Sequence, residues 1–488
     1  MADVRVKLSN GKDITDLLVF LLEENKKMEE EFGEPLDILE EDFEKNIQYL
    51  PEQFKELCRE IFTVLPQSTE YKFDEPDSIK NLEFSPEGAL IGASFLKLIE
   101  RMTDEASNEL IDIVFYTFPL YASPKEMLEA LIWRHNVVIP PLMSRSETVA
   151  FQNKRVRGIQ SKVASLFKKW IKLWPVHFKE NKNLKTLLQR FLDNLRESTN
   201  ESFTKHICKT ISQLLTGIDE EEKKPKCSFG DLRIPEDPIL PKEMDFKMEP
   251  LLLWSPVEIS RQLSLIESDL LKKVGLGELL GRNWEKENKD KVAPNVVAIN
   301  KRFIRGRELF IAAIVKENDI NNRVKIVKTL LEAAHECLYT IKNYESPMII
   351  NFVLKSDAVR ALEQTTKEVK KSAIHRNMWT RLEELYESNF DMVRQEMESG
   401  PCNVPCVLAL RQILMKNDAL KPDLFESKLI NLPKHKITAD IVHKIRMYKE
   451  NSLVYHPIKI LYQHLLAEDF TADMDELYNR ACSLERNG

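Results

Sequence analysis

Apolar residues recur every three or four positions along most of this chain, the spacing that gives an α-helix one buried face. Phe95, Leu98, Ile99 and Met102 form one such stripe, and Leu110, Ile113, Val114 and Phe118 form the next. Leu128, Leu131 and Ile132 follow Pro124, a residue suited to the first helical turn. Leu166, Trp170, Ile171 and Trp174 make a fourth stripe, stopped by Pro175, and Leu184–Leu195 and Phe203–Leu215 add two more helices. From Leu251 onward the pattern resumes, with Ile259, Leu263, Ile266 and Leu270, then Ile326, Val327, Leu330 and Leu331. Five prolines between Pro225 and Pro250 prevent helix propagation there and predict an extended connector. Near the N-terminus, alternating Val4, Val6 and Leu8 before Asn10-Gly11 predict a short hairpin. Leu17, Leu18, Leu21 and Leu22, then Phe54, Leu57, Ile61 and Leu65 behind Pro51, predict helices. The expected architecture is all-α: an extension over 1–80, a helical bundle over 86–216, a connector over 217–250 and a larger all-helical domain over 251–488.

One stretch of the second domain reads as a helical hairpin. After the punctuated turn Gly400-Pro401-Cys402-Asn403-Val404-Pro405, a first helix is expected over Cys406–Lys416, with Val407, Leu410, Ile413 and Leu414 on one face. Asn417 to Pro422 should break it. A second helix is expected over Ile437–Lys449, with Ile437, Ile441, Ile445 and Tyr448 inward and Lys436, Asp440, Lys444 and Arg446 outward. Most such pairs are plain core packing.

Composition narrows the chemistry. The 488 residues are 43% hydrophobic and 31% charged, typical of a helix-rich globular chain, and 13 glycines argue against glycine-rich phosphate loops. A net charge of −7 gives no general nucleic-acid footprint. No apolar window is long enough to span a bilayer, no secretory signal pattern opens the chain, and seven scattered cysteines fit free thiols in a reducing compartment. A Walker-type phosphate loop, His-Glu-x-x-His and Gly-x-Ser-x-Gly are all missing. Gly275-Leu276-Gly277 through Gly281 has the wrong spacing for a dinucleotide fingerprint. Cys402 and Cys406 with His435 and His443 could be read as zinc ligands, although cysteines beside an apolar helix are more often buried thiols. The residues point to a protein that acts by binding, without a cofactor.

The second helical domain resembles the catalytic domain of the guanine-nucleotide exchange factors of Ras-family small GTPases. Trp254-Ser255-Pro256 through Gln262-Leu263 and Glu267 is similar to its opening helix, and Glu278-Leu279-Leu280-Gly281 with Trp284 to the next element. Ala293-Pro294-Asn295, Asn321-Asn322-Arg323-Val324, Asn343-Tyr344 and Ser356-Asp357-Ala358-Val359 through Leu362 follow in the family's order. The stretch 401–451 then falls on the family's helical hairpin, with Leu429-Ile430-Asn431 in the connection. The preceding bundle resembles the Ras exchanger motif domain through Gly92, Phe115-Tyr116-Thr117-Phe118, Leu131-Ile132-Trp133-Arg134, Arg157 and Lys169-Trp170.

The resemblance implies a regulatory factor that promotes GDP release from a Ras, Rap or Ral type GTPase through hairpin insertion, with no covalent chemistry, no metal and no cofactor. It implies a monomer that binds no nucleic acid. It implies a cytoplasmic protein, brought to the inner face of the plasma membrane through the GTPase or residues 1–80. It places Leu414 where the family directs an apolar residue at the Mg²⁺ site, and Asp418 where the family has a glutamate that competes with phosphates. Both are expected on an exposed hairpin tip, with a core leucine and a loop residue as the plain alternatives. Lys301, Met348, Lys355, Asp357, Phe390, Pro405 and Arg411 fall at or near GTPase-contact positions. The chain departs from the family in its displaced Pro401 and Pro405, in Ile304 after Phe303, in Lys355 and in the shorter Asp418. These departures leave a diverged GTPase-binding scaffold as the rival reading.

Overall fold

In the computed structural model, described residues are 73, 75–104, 107–138, 144–198, 202–220, 235–242, 249–387 and 389–485. The hairpin and helices expected between Val4 and Leu65 lie outside them. Residues 70–488 cluster as one unit.

The first bundle is built from β1 (Leu82–Phe84), β2 (Leu90–Ala93), α1 (Phe95–Thr103), α2 (Asn108–Thr117), α3 (Pro124–His135), α4 (Arg157–Leu173), α5 (Lys182–Ser198) and α6 (Ser202–Glu220). Its helices start where side chains can take the orphan backbone N–H groups. Ser94 and Ser107 cap α1 and α2, and Ser123 with Glu126 forms a capping box ahead of Pro124 on α3. The aromatic residues converge. Phe118 lies edge-on to Trp170 at 5.8 Å, and Trp174 donates its indole N–H to the Phe115 carbonyl at 2.7 Å. α6 continues through Gly217 to Glu220, past the expected start of the connector, because the first proline comes only at Pro225. The described part of the connector, 235–242, lies along the next domain. Glu236 bridges Tyr455, and the Ile239 N–H donates to Glu258 at 2.9 Å.

The second domain contains α7 (Pro256–Lys273), α8 (Pro294–Val315), α9 (Ile320–Glu336), α10 (Glu345–Leu354), α11 (Ala373–Leu385), α12 (Asp391–Ser399), α13 (Val407–Leu420), β3 (Ile430–Asn431), α14 (Leu432–Lys449), α15 (Lys459–Leu466) and α16 (Met474–Glu485). α7 is surrounded, so even its polar residues are buried and need partners. Gln262 donates to Glu258 at 2.8 Å and to the His456 carbonyl at 2.8 Å, and accepts from the Ile458 N–H at 2.9 Å. The quoted sequence motifs do comparable work. Glu278 accepts from the N–H groups of Asn295 and Val296 at 2.8 and 3.0 Å and so caps α8. Arg323 joins α9 to Thr365 and to Glu485 of α16, both at 3.1 Å.

The architecture is helical as expected, with one addition. β1, β2 and β3 form a small antiparallel sheet in that order. Gly92 pairs with Asn431 and Ala93 with Ile430. A two-residue strand in the hairpin connection is too short to leave an alternating pattern, which is why periodicity misses it.

Candidate functional site

The hairpin is α13 and α14, and both are longer than their apolar stripes. α13 runs through Asn417 and Asp418 to Leu420, and α14 begins at Leu432 with Pro433 in its first turn. Asn417 and Asp418 do not break the helix because each finds a cross-hairpin partner. Asn417 donates its amide to the Lys434 carbonyl at 3.0 Å and to Thr438 Oγ1 at 3.1 Å. The Asp418 carboxylate lies 3.2 Å from Lys434 Nζ, which is also 2.7 Å from Asp423. Both contacts are ion pairs without the alignment of a hydrogen bond. Asn431 caps α14 through the Lys434 N–H at 3.2 Å and donates to the Pro422 carbonyl at 3.1 Å. The connection therefore folds back on the helices it joins.

Three contacts fix the hairpin to its surroundings. At its base, Cys406 offers no side-chain cap to α13, and the Glu345 carboxyl accepts from the Val407 N–H at 2.7 Å instead. Asn343, fully buried, orients Glu345 by accepting its N–H at 2.9 Å, and the Tyr344 N–H donates to the Val404 carbonyl at 2.8 Å. Along its back, α14 packs against α2. Tyr116 Oη meets His443 Nδ1 at 2.9 Å and accepts from Arg446 at 3.1 Å, and Lys436 pairs with Glu109. At its tip, β3 pairs with β2. A Cβ at Gly92 would stand 3.1 Å from the Phe425 ring and 3.2 Å from Glu83 Cβ, so the connection approaches the sheet closely only over glycine. Gly92→Val should loosen β3 from β2 and raise amide exchange at Ile430 at least tenfold by hydrogen–deuterium exchange, whereas the Asn431 N–H donates to the Asp423 carbonyl and not to β2. Unchanged protection at Ile430 would mean that the connection holds without the sheet.

Burial pushes the Glu345 carboxyl up to about 8, with Glu267 adding to the rise and the Val407 N–H opposing it. A carboxyl that is harder to ionise when folded binds more protons in the native state. Its contribution is complete below the ordinary carboxylate range and is lost as pH rises toward about 8. Glu345→Gln keeps an acceptor for Val407 and removes the charge. The variant should match the parent protein in melting temperature at pH 5 and exceed it at pH 8.5. Parallel curves across that range would show that Glu345 is not what titrates.

The candidate residues divide by exposure. Lys301 is exposed on α8, 3.4 Å from Asp290, and Lys355 and Asp357 sit at the solvent-facing end of α10. Met348, Phe390, Pro405, Arg411 and Leu414 are buried. Met348 Sδ touches Cys406 Sγ at 3.4 Å, Phe390 takes a left-handed backbone (φ 55°) ahead of α12, and Arg411 stacks on Trp284 and donates to Asn300 at 2.5 Å. Leu414 and Asp418 are not the exposed pair that the resemblance implies. Leu414 is 2% exposed, and it lies three residues before Asn417, whose side chain meets α14. Asp418 is largely covered and tied to Lys434. The apolar side chains open to solvent at this end are Leu420 and Leu424. The cysteines and histidines raised as zinc ligands are engaged separately. Among the described residues no group of three or more His, Cys, Asp or Glu could hold a metal. Lys434 and Glu345 carry no sign in the sequence, which offers Asn417 only as a helix break and Asn431 only as part of the connection.

Comparison with known proteins agrees with this geometry. Residues 258–436 match the family model for the RasGEF domain, and residues 89–194 match that for the RasGEF N-terminal motif. The chain is similar to Ras guanine nucleotide exchange factor E of Dictyostelium discoideum, 29% identical over 263 residues, covering 52% of this chain and 24% of that protein. It is 23% identical over 476 residues to Protein son of sevenless of Drosophila melanogaster, covering 87% of this chain and 29% of that protein. It is 24% identical over 335 residues to the human Ras-specific guanine nucleotide-releasing factor 1, covering 67% and 25%. The chain thus spans about a quarter of the length of these curated relatives. With the N-terminal motif and the RasGEF domain present in order, and with the hairpin of the second braced on the first, this chain belongs to the Ras guanine-nucleotide exchange factor family.

Proposed function

We propose that this chain promotes GDP release from a Ras-family small GTPase of the Ras, Rap or Ral type by inserting the α13–α14 hairpin. The observation that carries the proposal is the bracing of that hairpin at base, back and tip, by Glu345, by α2 and by β2. A small GTPase holds its nucleotide through phosphate contacts, Mg²⁺ and a backbone-lined loop. A rigid element that binds the nucleotide-free form more tightly weakens nucleotide binding by the same factor. A ten-thousandfold preference corresponds to about 5.5 kcal/mol. Such a wedge makes and breaks no covalent bond and uses no cofactor, but it must not bend under load, and the bracing supplies that stiffness. Leu420, at the open end of α13, is the apolar side chain best placed to meet the partner. The protein acts as a monomer in the cytoplasm and is brought to the inner face of the plasma membrane through its GTPase or through residues 1–80. No helix among the described residues is long and apolar enough to cross a membrane.

The test is release of a fluorescent GDP analogue from Ras, Rap and Ral type GTPases with and without the protein. Acceleration of at least one of them is expected. One observation favours a second reading, a scaffold that holds a GTPase without exchanging it: Leu414 is buried and Asp418 is already ion-paired. Tight binding of the nucleotide-free GTPase with release at the intrinsic rate throughout would establish the scaffold and reject exchange.

A further inference from the structure

The chain as a whole is acidic, yet between Thr148 and Lys179 it has eight Lys and Arg residues and no Asp or Glu. This stretch covers α4 and the turn of π-helix before it, Gln152–Val156. Lys154, Gly158 and Lys162 are spaced by four residues, so they share one face of the helix, with Arg155 beside them. That face is exposed. It opens into a cavity of about 790 Å³ between α4, α1 and the β1–β2 hairpin, lined also by Arg101, Phe84 and Leu90.

The charges around the cavity do not cancel. Arg101 pairs with Asp77, and Asp104, the carboxylate on the wall, is held by Arg134 at 2.7 Å. Lys154, Arg155 and Lys162 have no carboxylate partner among the described residues. Three uncompensated cations around one concave surface repel one another, and nothing in the fold requires them there. Gly158 lies in the middle of them, and a Cβ at that position would meet nothing within 4 Å, so the floor of the cavity is open. Phe84 is 52% exposed at its rim.

We infer that this cavity is a binding site for the clustered phosphates of an anionic phospholipid headgroup, holding the N-terminal bundle against a membrane surface. Three exposed cations match a headgroup with more than one phosphate, and each basic residue near such a surface strengthens binding roughly fivefold. The exposed phenylalanine favours lipid over nucleic acid, because an apolar ring beside a cationic patch suits the boundary between headgroups and acyl chains. The inference does not depend on the exchange activity and places the membrane contact on α4, apart from the hairpin.

The experiment is co-sedimentation of the full chain with vesicles of phosphatidylcholine alone, with phosphatidylserine, or with phosphatidylinositol bisphosphate at matched total charge. Binding should be strongest to the bisphosphate vesicles and weaken as salt is raised from 0.1 to 0.5 M, by charge screening. The triple variant Lys154→Gln, Arg155→Gln, Lys162→Gln should lose roughly a hundredfold in affinity. Gly158→Glu puts a carboxylate in the open floor at a helical site where glycine is the weaker former. It should keep the parent's melting temperature and lose vesicle binding. Lys168→Gln with Lys172→Gln, further along α4, should bind vesicles as the parent does. Soluble inositol hexakisphosphate should compete with the vesicles. The inference is overturned if the parent binds none of the vesicles at 0.1 M salt, if Gly158→Glu binds as the parent does, or if the soluble polyphosphate or duplex RNA binds while the vesicles do not.

Discussion

Leu414→Ala should destabilise the domain by about 2–5 kcal/mol, the range for emptying a buried leucine site. Leu414, on α13, is 2% exposed, in a hairpin whose other inward residues, Leu410, Ile441 and Ile445, are similarly covered. Collapse of the void is resisted because α14 is fixed on its far side to α2 through Tyr116, His443 and Arg446. The lost transfer energy is therefore joined by a cavity cost. A melting temperature lower by roughly 5 °C or more follows. Leu420→Ala supplies the contrast. Leu420 is 79% exposed and makes no core, so its loss should leave the melting temperature within about 1 °C. Under the exchange reading it should slow GDP release about tenfold, the equivalent of one lost apolar contact. Should Leu414→Ala instead melt with the parent and lose exchange, the leucine would be meeting the partner and the packing described above would not be what holds it.

That contrast shows what the sequence could and could not carry. The helical stripes are legible because each buried face repeats its signal over several turns: α5 and α7 start and stop within three residues of their apolar runs, Leu184–Leu195 and Ile259–Leu270. The connection between the hairpin helices did not. Its order rests on one glycine, Gly92, more than 300 positions away in sequence, and on a two-residue strand. The end of α13 departs from its sequence pattern for a related reason. Asn and Asp compete locally with helical hydrogen bonding and so suggest a break. Here Asn417 is held inside the helix by Lys434 and Thr438, partners that only the folded hairpin brings near. Leu414 and Leu420 look alike in sequence. Only the direction of α14 distinguishes the buried one from the open one. The base of the hairpin was equally hidden, since nothing near Cys406 announces that Glu345, from another helix, will take the Val407 N–H.

Lys434→Met should lower stability and, under the exchange reading, slow GDP release. The lysine is 4% exposed by side chain and lies between Asp418 and Asp423, whose side chains are 17% and 40% exposed. Removing one partner of a fully buried pair costs about 3–5 kcal/mol, but these carboxylates touch water, which reduces the expected loss to about 1–3 kcal/mol. Methionine keeps most of the aliphatic stem, so packing is nearly preserved and the missing charge is what the measurement reads. Two carboxylates are then left facing each other at the tip without the cation between them. Asp418→Asn removes one of them, so in the double variant the losses should be less than additive, with a coupling of about 1 kcal/mol. For function, the anchored geometry matters more than the charge count. Lys434 holds Asp418 in one orientation while its own backbone carbonyl holds Asn417, so the end of α13 is set by this residue on α14. A carboxylate that must reach a partner's donors works best when its rotamer is already fixed. Release should therefore slow about tenfold in Lys434→Met and no further when Asp418→Asn is added. Faster release in Lys434→Met would reverse this assignment: the lysine would then be sequestering Asp418 from the partner, and the ion pair would be a brake on the hairpin rather than its support.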